Sequence, residues 1–489
     1  MHTESNNTVD LFTIQIKQHM NNDFIIVHHN ETLSDVITKL QTEKKSSVLV
    51  LQDNILAGII TEQDIVRKIT FKENKNNLVS SVMVHPVVSV LEDDLLFYAV
   101  GKMRKNKFRH IPVVNKDSYP VGMIDLQSAL AAELGVLIHE IDQLTYDDDD
   151  NTEGLIKMKK QQISLTETLI HQNASPGDIS YILSFLNNVI YRRAIKNAEK
   201  KIEAKHILTN IPNYSVITMG SGGRMESFLH PDQDNGIIYE DHNQDPEQVD
   251  LYFLELAKEF TKTLDECDIP YCKGNLMASN ILWRKSISGW KKQIDEWTSD
   301  MTEQNARYID MLYDFRSVYG TDALADELRN HVIERLQGNH VLKFLYKSEE
   351  MSDSGINFFG GFVLEKEDEE NLGLLNLKHT GTLPLVESIR LYSIRHGIKK
   401  LSTLGRLQEL HKLKVFSDDQ YEFFRSAFKF LSDILLKNQV VRAKEGKAIK
   451  NFIDPKKLLD LDKQLLKIYL KKIKGLKEQV RGDFGEEYF

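Results

Sequence analysis

An internal repeat in the first 135 residues constrains the fold of this chain more than any other feature. The segment FIIVHHNETLSDVITKLQTEKKSSVLVLQDNILAGIITEQD aligns with VVSVLEDDLLFYAVGKMRKNKFRHIPVVNKDSYPVGMIDLQS, so that Val27 matches Val90 and Gly58 matches Gly122. Each copy has the apolar spacing of a strand, a helix, two strands joined by a turn, and a second helix. A repeat of this period predicts two copies of one α/β unit.

The bulk composition limits the classes of protein to which the chain can belong. Its 489 residues exceed what one hydrophobic core usually serves and predict about three domains. No apolar run approaches the roughly 20 residues of a membrane helix, and MHTESNNTVD does not resemble a signal peptide. The formal charge of −10 argues against general nucleic-acid binding. We therefore expect a cytoplasmic protein without membrane or general nucleic-acid contacts.

The repeat resembles a tandem pair of CBS domains, also called a Bateman module, over residues 17–135. In that family, a Gly, a Thr or Ser and an Asp at fixed spacing hold the ribose and phosphate of an adenine nucleotide. The first copy matches this pattern with Gly58, Thr61 and Asp64. The resemblance therefore implies regulation by AMP, ADP or ATP, and a homodimer formed through the CBS pair.

The second copy departs from the pattern and carries Asp125 and Ser128 at the Thr and Asp positions. A negative Asp125 would repel a phosphate, so we expect one nucleotide per pair. The TEQD of the first copy has an alternative interpretation as a helix N-cap with an acidic first turn, and many CBS pairs bind nothing and serve as dimerising spacers.

A second motif, VITMGSGGRMESFLHPDQDNGIIY at residues 216–239, indicates a site that binds an anion and a metal ion. The short β-branched run before Gly220 predicts a buried strand, and the glycines allow backbone N–H groups to approach an anion. We predict a helix at RMESFL and a second strand at DQDNGIIY, with Asp232 and Asp234 on the same face of that strand. Two adjacent carboxylates repel each other unless a cation lies between them, which predicts Mg²⁺ or Mn²⁺ together with substrate phosphates.

The same stretch resembles the nucleotidyltransferases of the DNA polymerase β superfamily, and most closely PII uridylyltransferase and glutamine synthetase adenylyltransferase. The motifs YCKGNLMASN, YDFRSVYG and LKHTGTLPLVESIRLYSIRHGI extend the resemblance across the chain, to a bacterial family in which a CBS pair precedes such a domain. By this resemblance Gly220 and Ser221 hold the triphosphate, Arg224 neutralises its charge, and Asp232 and Asp234 are catalytic metal ligands.

The third catalytic carboxylate of that superfamily is assigned to Asp314, by likeness to the Asp-apolar-Arg stretch of the adenylyltransferases. Two metals would then stabilise the attacking and leaving oxygens of an in-line transfer. An alternative is that Asp314 pairs with Arg316 at the surface, where such a pair contributes little free energy.

The chain divides into five predicted segments. They are an N-terminal tail (1–16), the α/β CBS pair (17–135), a helical linker bundle (136–205), an α+β polymerase-β-like nucleotidyltransferase domain (206–335) and an all-α C-terminal domain (336–489). The predicted function is metal-dependent transfer of a nucleoside monophosphate from a nucleoside triphosphate to an unknown acceptor, a protein by resemblance, with a role in bacterial signal transduction. The alternative is a catalytically silent, nucleotide-sensing regulatory protein.

Overall fold

The computed structural model describes residues 14–43, 45–61, 64–65, 76–126, 152–171, 173–337, 339–349, 355–357 and 359–485. The chain separates into two compact units, 1–148 and 149–489. Among the described residues, no helix combines the length and the apolar character that crossing a bilayer requires.

The first unit contains two small sheets with the same order of elements, as the repeat predicts. The elements of the two copies, in chain order, are β1 (Ile25–His28), α1 (Leu33–Glu43), β2 (Ser47–Gln52), β3 (Ile55–Thr61), β4 (Val90–Leu91), α2 (Leu96–Asn106), β5 (His110–Val114) and β6 (Pro120–Asp125). In each copy the first strand is parallel to the second, and the second is antiparallel to the third. The final helix predicted for each copy falls mostly outside the described residues.

Local sequence explains the first copy. Thr32 caps α1 in a reciprocal arrangement, since its Oγ1 accepts from the Asp35 N–H at 3.3 Å and its own N–H donates to the Asp35 carboxylate at 3.2 Å. Asp53 and Asn54 form the turn between β2 and β3 with φ of 52° and 63°, a left-handed conformation that Asn and Asp tolerate. The capped helix then packs the apolar side chains of β1, α1 and β2 into one core.

The two copies exchange their first segments, which the sequence alone did not indicate. The turn at Ile16–Gln18 bonds to the second copy through Ile16 N–H and the Asp94 carbonyl at 2.8 Å. The equivalent turn at Val79–Ser81 bonds to the first copy through Val79 N–H and the Glu31 carbonyl at 2.9 Å. Each copy therefore packs the first segment of the other copy, and the two are not independent folding units in this structure.

The second unit is built on a four-stranded sheet in the order β10-β7-β8-β9. The strands are β7 (Tyr214–Thr218), β8 (Asn235–Tyr239), β9 (Arg284–Ser286) and β10 (Arg316–Gly320). Strand β7 is antiparallel to both β8 and β10, and β8 is parallel to β9. The helices before and around this sheet are α3 (Thr152–His171), α4 (Pro176–Glu203), α5 (Gly220–Arg224), α6 (Pro246–Glu266), α7 (Ile287–Ser299), α8 (Glu303–Tyr313) and α9 (Asp322–Leu336).

The C-terminal part is helical, as predicted, apart from a two-residue ribbon. Its elements are α10 (Asn339–Glu349), β11 (Leu375–Asn376), a π-helical turn (Lys378–Thr382), α11 (Leu383–Arg395), α12 (Thr403–Lys412), α13 (Asp418–Lys444), β12 (Phe452–Ile453) and α14 (Asp460–Gly485). One hydrophobic core runs from the sheet through Trp290 and Trp297 into these helices. The sheet and the C-terminal helices therefore stabilise each other, while the segment boundaries predicted near 205 and 335 stay predictions.

Two local predictions around the motif at residues 216–239 were wrong. The helix forms at Gly220–Arg224 itself and ends at Met225, which has a left-handed φ of 60°, so that RMESFL is mostly irregular. The strand begins at Asn235, and Asp232 and Asp234 precede it. The glycine-rich sequence GSGGR is therefore itself a short helix between two strands.

Candidate active site

The acidic pair owes its geometry to the residue between its members. The side chain of Gln233 is buried, and its amide donates to the carbonyl oxygens of Thr261 at 2.9 Å and Ile269 at 2.8 Å. Because side chains alternate along an extended backbone, anchoring Gln233 inward directs Asp232 and Asp234 to the opposite side. Asp232 is exposed and Asp234 is half-buried there.

The thiol of Cys272 lies close to the two carboxylates. One ligand atom each from Asp232, Asp234 and Cys272 lies within 4.8 Å of the others. The loop that carries Cys272 is fixed by backbone bonds from Gln233 N–H to the Pro270 carbonyl at 2.9 Å and from Asn235 N–H to the Leu276 carbonyl at 2.9 Å. From the sequence we assigned no role to Cys272, and its place in the motif YCKGNLMASN is the signal that could have indicated one.

The charge of Asp234 is poorly compensated by the protein. Burial, and then the neighbouring charge of Asp232, raise the pKa of Asp234 to about 7, although the thiol of Cys272 hydrogen-bonds to its carboxylate. Its Oδ1 is buried and has no hydrogen-bond partner in the part of the chain that the structure describes. A hard divalent cation would satisfy this oxygen and remove the repulsion, so the donor set fits Mg²⁺ or Mn²⁺.

Gly220 leaves room beside the acidic pair. Its φ is +55°, and an added Cβ would lie 3.1 Å from Asp234 Oδ2 and 3.0 Å from Met311 Cε. A side chain here would therefore be strained and would crowd the carboxylate. Ser221 follows at the start of α5 and is half-buried. The structure thus places Gly220, a predicted triphosphate residue, directly next to Asp234, a predicted metal ligand.

A polar cavity lies behind the acidic pair, between α4 and the strand end at Thr218. Its lining includes Asn187, Thr218 and Asp234, and each of these has a buried polar atom without a partner among the described residues. Lys159 is buried nearby and donates to the Asn187 side chain at 3.0 Å and to the Leu229 carbonyl at 2.9 Å. Burial lowers the pKa of Lys159 to about 7.

The C-terminal helices contribute a positive charge to the site. Lys378 is the first residue of the π-helical turn, and its charge lowers the pKa of Asp234, against the larger effects of burial and Asp232. Single π-helical turns are rare and occur frequently at functional sites. The turn lies in the motif LKHTGTLPL, whose neighbouring residue His379 is exposed. We identified this motif from the sequence but assigned no role to Lys378 within it.

Arg224 and Asp314 are in contact in the interior of the protein. Asp314 is fully buried, so the alternative of a surface pair with Arg316 is wrong. Arg224 Nη1 donates to Asp314 Oδ2 at 2.6 Å, and its Nε donates to Glu226 at 2.8 Å. The predicted roles of Arg224 at a phosphate and of Asp314 as a third catalytic carboxylate stay predictions, and in this structure both groups bind each other.

The predicted nucleotide residues of the CBS pair lie together at the end of β3. Thr61 Oγ1 donates to Asp64 Oδ2 at 2.7 Å and accepts from the Asp64 N–H at 3.3 Å, which is the geometry of a helix cap. An added Cβ on Gly58 would lie 2.2 Å from Met83 Sδ, so Gly58 is required by packing. In the second copy, Asp125 pairs with His110 at 3.1 Å.

Comparison with protein families assigns these regions. The "CBS domain" family matches residues 15–70 and 79–135, and the family described as "Putative nucleotidyltransferase DUF294" matches residues 160–304. The family described as "Putative nucleotidyltransferase substrate binding domain" matches residues 339–484. These matches confirm the architecture and the fold classes predicted from the sequence.

Individual relatives match smaller parts of the chain. The CBS domain-containing protein CBSCBSPB2 of Arabidopsis thaliana is 28% identical over 22% of this chain and 20% of its own length. Its relative CBSCBSPB5 from the same plant is 22% identical over 44% of this chain and 40% of its own length. The chain thus spans two fifths or less of the length of these curated relatives.

Solved structures align with the N-terminal quarter. The CBS domain-containing protein ATU1752 of Agrobacterium tumefaciens is 22% identical, covers 24% of this chain and 98% of its own, and has a TM-score of 0.23. The CBS domain pair of protein MJ0100, solved with 5'-methylthioadenosine and S-adenosyl-L-methionine, is 20% identical, covers 24% of this chain and 94% of its own, and also scores 0.23.

Proposed function

We propose that this chain, which carries a CBS domain pair, a domain of the DUF294 nucleotidyltransferase family and the accompanying substrate-binding domain, transfers a nucleoside monophosphate from a nucleoside triphosphate to an acceptor hydroxyl. The acceptor hydroxyl loses its proton to solvent, a bond from its oxygen to the α-phosphorus forms, the bond between that phosphorus and the bridging oxygen breaks, and pyrophosphate leaves. The observation that carries this proposal is the convergence of Asp232 and Asp234 beside Gly220, where the buried Asp234 Oδ1 has no hydrogen-bond partner among the described residues.

Asp232 and Asp234 would hold Mg²⁺ or Mn²⁺ through their carboxylate oxygens. When bound, the cation supplies positive charge to the triphosphate and to the reacting oxygens. Gly220 keeps the space next to Asp234 free of side-chain atoms, and the half-buried Ser221 beside it in sequence would offer its hydroxyl to the triphosphate. Lys378 would bring the positive charge of the substrate-binding domain to the triphosphate, since it already acts on the charge of Asp234.

The acceptor follows from the resemblance to the uridylyl- and adenylyltransferases, in which it is a protein tyrosine. We therefore propose uridylyl or adenylyl transfer to a protein. The test is incubation with labelled UTP, ATP, GTP or CTP, Mg²⁺ or Mn²⁺ and cell lysate, followed by measurement of labelled protein and of pyrophosphate.

The matched variants are Asp232→Ala/Asp234→Ala and the control Asp295→Ala, an acidic residue on α7 paired with Arg335 at 2.7 Å. The proposal predicts that the double variant loses both transfer and pyrophosphate release and that the control keeps them. Equal activity of the wild type and the double variant would exclude the acidic pair from the reaction.

The CBS pair is proposed to bind AMP, ADP or ATP through Gly58, Thr61 and Asp64, and to regulate the transfer. Titration calorimetry with each nucleotide should show binding to the wild type and none to Asp64→Ala. The control is Asp35→Ala, which removes the equivalent helix cap of α1 without touching the proposed site. If Asp35→Ala weakens nucleotide binding as much as Asp64→Ala does, the loss of a helix cap explains the effect, and Asp64 is not a nucleotide ligand.

Regulation requires that the nucleotide bind two conformations unequally. It predicts that AMP changes the transfer rate of the wild type and leaves the rate of Asp64→Ala unchanged. If AMP changes neither the transfer rate of the wild type nor that of Asp64→Ala, the CBS pair does not regulate this reaction through AMP.

The alternative function is a catalytically silent, nucleotide-sensing regulatory protein. The observation that favours it is the engagement of Asp314, the predicted third carboxylate, by arginines. This alternative predicts that the wild type binds a nucleoside triphosphate with Mn²⁺ and releases no pyrophosphate with any acceptor fraction.

A further inference from the structure

Asp314 lies at the centre of a buried cluster of arginines from three helices. Arg224 Nη1 and Arg390 Nη1 donate to its Oδ2 at 2.6 and 2.9 Å, and Arg406 Nη2 lies 2.6 Å from its Oδ1. All four side chains are almost fully buried. Arg224 belongs to α5, Arg390 to α11 and Arg406 to α12, so one carboxylate joins the GSGGR helix to two helices of the substrate-binding domain.

Two further carboxylates balance the charge of the cluster. Arg390 Nη2 donates to Asp310 at 2.5 Å, and Arg224 Nε donates to Glu226 at 2.8 Å. Glu226 in turn accepts from the N–H of Thr403 at 2.5 Å and from its hydroxyl at 2.8 Å, at the start of α12. Three guanidinium groups therefore face three carboxylates, and Arg224 is engaged by carboxylates through both its Nη1 and its Nε.

The main chain at Asp314 is as tightly engaged as its side chain. An added Cβ on Gly223 would lie 1.7 Å from the Asp314 carbonyl oxygen, and no rotation of a side chain could relieve that overlap. Arg316 Nε also donates to the Gly223 carbonyl at 3.2 Å. The backbone of α5 is thus pressed against the segment that follows α8, and α5 begins with Gly220 and Ser221.

We propose that Asp314 is a positioning residue that fixes α5 and α11 relative to each other, and that it is not a ligand of the catalytic metal. Both of its oxygens already face guanidinium groups, so neither is available to a cation without breaking the cluster. Holding α5 places Gly220 and Ser221 beside Asp234, and holding α11 places the π-helical turn with Lys378 near the same carboxylate. The part of this inference that concerns nucleotide binding rests on the proposed function.

The test uses Asp314→Asn, which keeps the shape of the side chain and removes its charge. The control is Asp250→Asn, which removes one partner of another buried arginine pair, Arg284–Asp250 at 3.0 Å, on α6 and β9. Hydrogen exchange should accelerate in Gly220–Arg224 and Lys378–Thr382 for Asp314→Asn, and should stay at the wild-type rate there for Asp250→Asn. This readout needs neither nucleotide nor turnover.

Two binding measurements separate positioning from metal ligation. Titration with Mn²⁺ alone should give Asp314→Asn an affinity within about threefold of the wild type, whereas Asp232→Ala/Asp234→Ala should lose binding. With Mn²⁺ present, a non-hydrolysable nucleoside triphosphate analogue should bind Asp314→Asn roughly tenfold or more weakly. If Asp314→Asn loses Mn²⁺ as the double variant does, Asp314 is a metal ligand and the inference is overturned.

Arg406→Lys and Arg390→Lys are the second line of variants, since they keep the charge and lose only the planar geometry of the guanidinium. If Asp314→Asn does not fold, these two should show the same accelerated exchange and the same retained Mn²⁺ affinity. Unchanged exchange in Gly220–Arg224 for a folded Asp314→Asn, or for both lysine variants, overturns the inference. A wild type that transfers no nucleotide but shows the predicted exchange pattern would overturn the proposed function alone.

Discussion

The second unit contains two carboxylate sites with opposite electrostatics. At Asp314, burial alone would raise the pKa, but the charges of Arg406, Arg224 and Arg390 reverse this and hold the pKa well below its usual range. At Asp234, burial and the charge of Asp232 raise the pKa to about 7. The protein therefore provides the counter-charge for the fully buried carboxylate of Asp314 and leaves the half-buried carboxylate of Asp234 largely without it.

This difference separates a structural role from a binding role. A carboxylate that the protein compensates fully has no electrostatic need for a ligand, and removing it leaves buried charges unpaired. A carboxylate that the protein places beside another of the same sign costs stability until a cation arrives. Shifted pKa values occur at both kinds of site, so the direction of the shift, with its cause, distinguishes them here.

The largest expected effect is on stability at the compensated site. Asp314→Asn should lower the free energy of unfolding by about 3–5 kcal/mol, because three buried guanidinium groups lose their common partner. Asp232→Asn should leave it unchanged or raise it slightly by relieving repulsion. Urea denaturation of the two variants measures both effects. If both variants lose a similar free energy of unfolding, the two carboxylate sites do not differ in the way proposed.

The second effect concerns cations. Mn²⁺ at about 100 times its dissociation constant should stabilise the wild type by about 2.7 kcal/mol. Asp232→Ala/Asp234→Ala should show no such gain, while Asp295→Ala should behave as the wild type does. Thermal unfolding with and without Mn²⁺ checks this. A melting shift that survives in the double variant would place the cation elsewhere.

The third effect is on the pH dependence of the metal-free protein. Asp234 has a raised pKa when folded, so its stabilising contribution is complete only below about pH 4 and is lost as the pH rises towards 7, by roughly 2 kcal/mol between pH 5 and 7. Asp314 has a lowered pKa, so its contribution is lost only at acidic pH and adds no slope between pH 5 and 7. Urea unfolding in EDTA should therefore show a declining difference between wild type and Asp234→Asn over this window, and a flat difference would contradict the assignment.

A smaller effect is expected at Gly220. Gly220→Ala should cost about 1–2 kcal/mol, because a φ of +55° is left-handed and strained for alanine. It should also weaken Mn²⁺ binding, since the new methyl group would crowd Asp234 Oδ2. The control is Gly475→Ala on α14, where an added Cβ meets nothing within 4 Å. Normal Mn²⁺ affinity in Gly220→Ala would show that the carboxylate can move aside.

The smallest effect is expected at Cys272. Cys272→Ser keeps a hydrogen-bond donor towards Asp234 and should change stability by less than about 1 kcal/mol. Cys272→Ala removes the donor and should raise the pKa of Asp234 further, because the thiol now lowers it. Carboxylate titration by NMR in the two variants measures the difference, and identical curves would mean that the thiol does not act on Asp234.

Sequence patterns predicted the larger organisation well. The repeat predicted both CBS copies, and the cap at Thr32 and the turn at Asp53 depend only on nearest neighbours along the chain. Trp290 and Trp297 lie seven positions apart on one helix, a spacing that places both on the same face, and both lie in the core. The spacing of Asp232 and Asp234 likewise predicted that the two carboxylates converge.

The sequence alone did not predict the partners of these residues. The exchange of first segments between the CBS copies, the thiol of Cys272 beside the acidic pair and the charge of Lys378 all depend on contacts between distant parts of the chain. Asp314 lies 90 positions from Arg224 and 76 from Arg390, and no local pattern connects them. The helix at Gly220–Arg224 was missed because glycine disfavours helices locally, and packing against Asp314 overrides that preference.

The sequence by itself determined the order of the modules, the two α/β copies and the placement of two carboxylates one residue apart, because each depends on local spacing and alternation. Only the tertiary structure decided which carboxylate the protein compensates and which it leaves for a cation. The physical reason is that the state of a charge depends on burial and on neighbouring charges in space. The arginines around Asp314 belong to helices that are distant in sequence and become neighbours only when the chain folds.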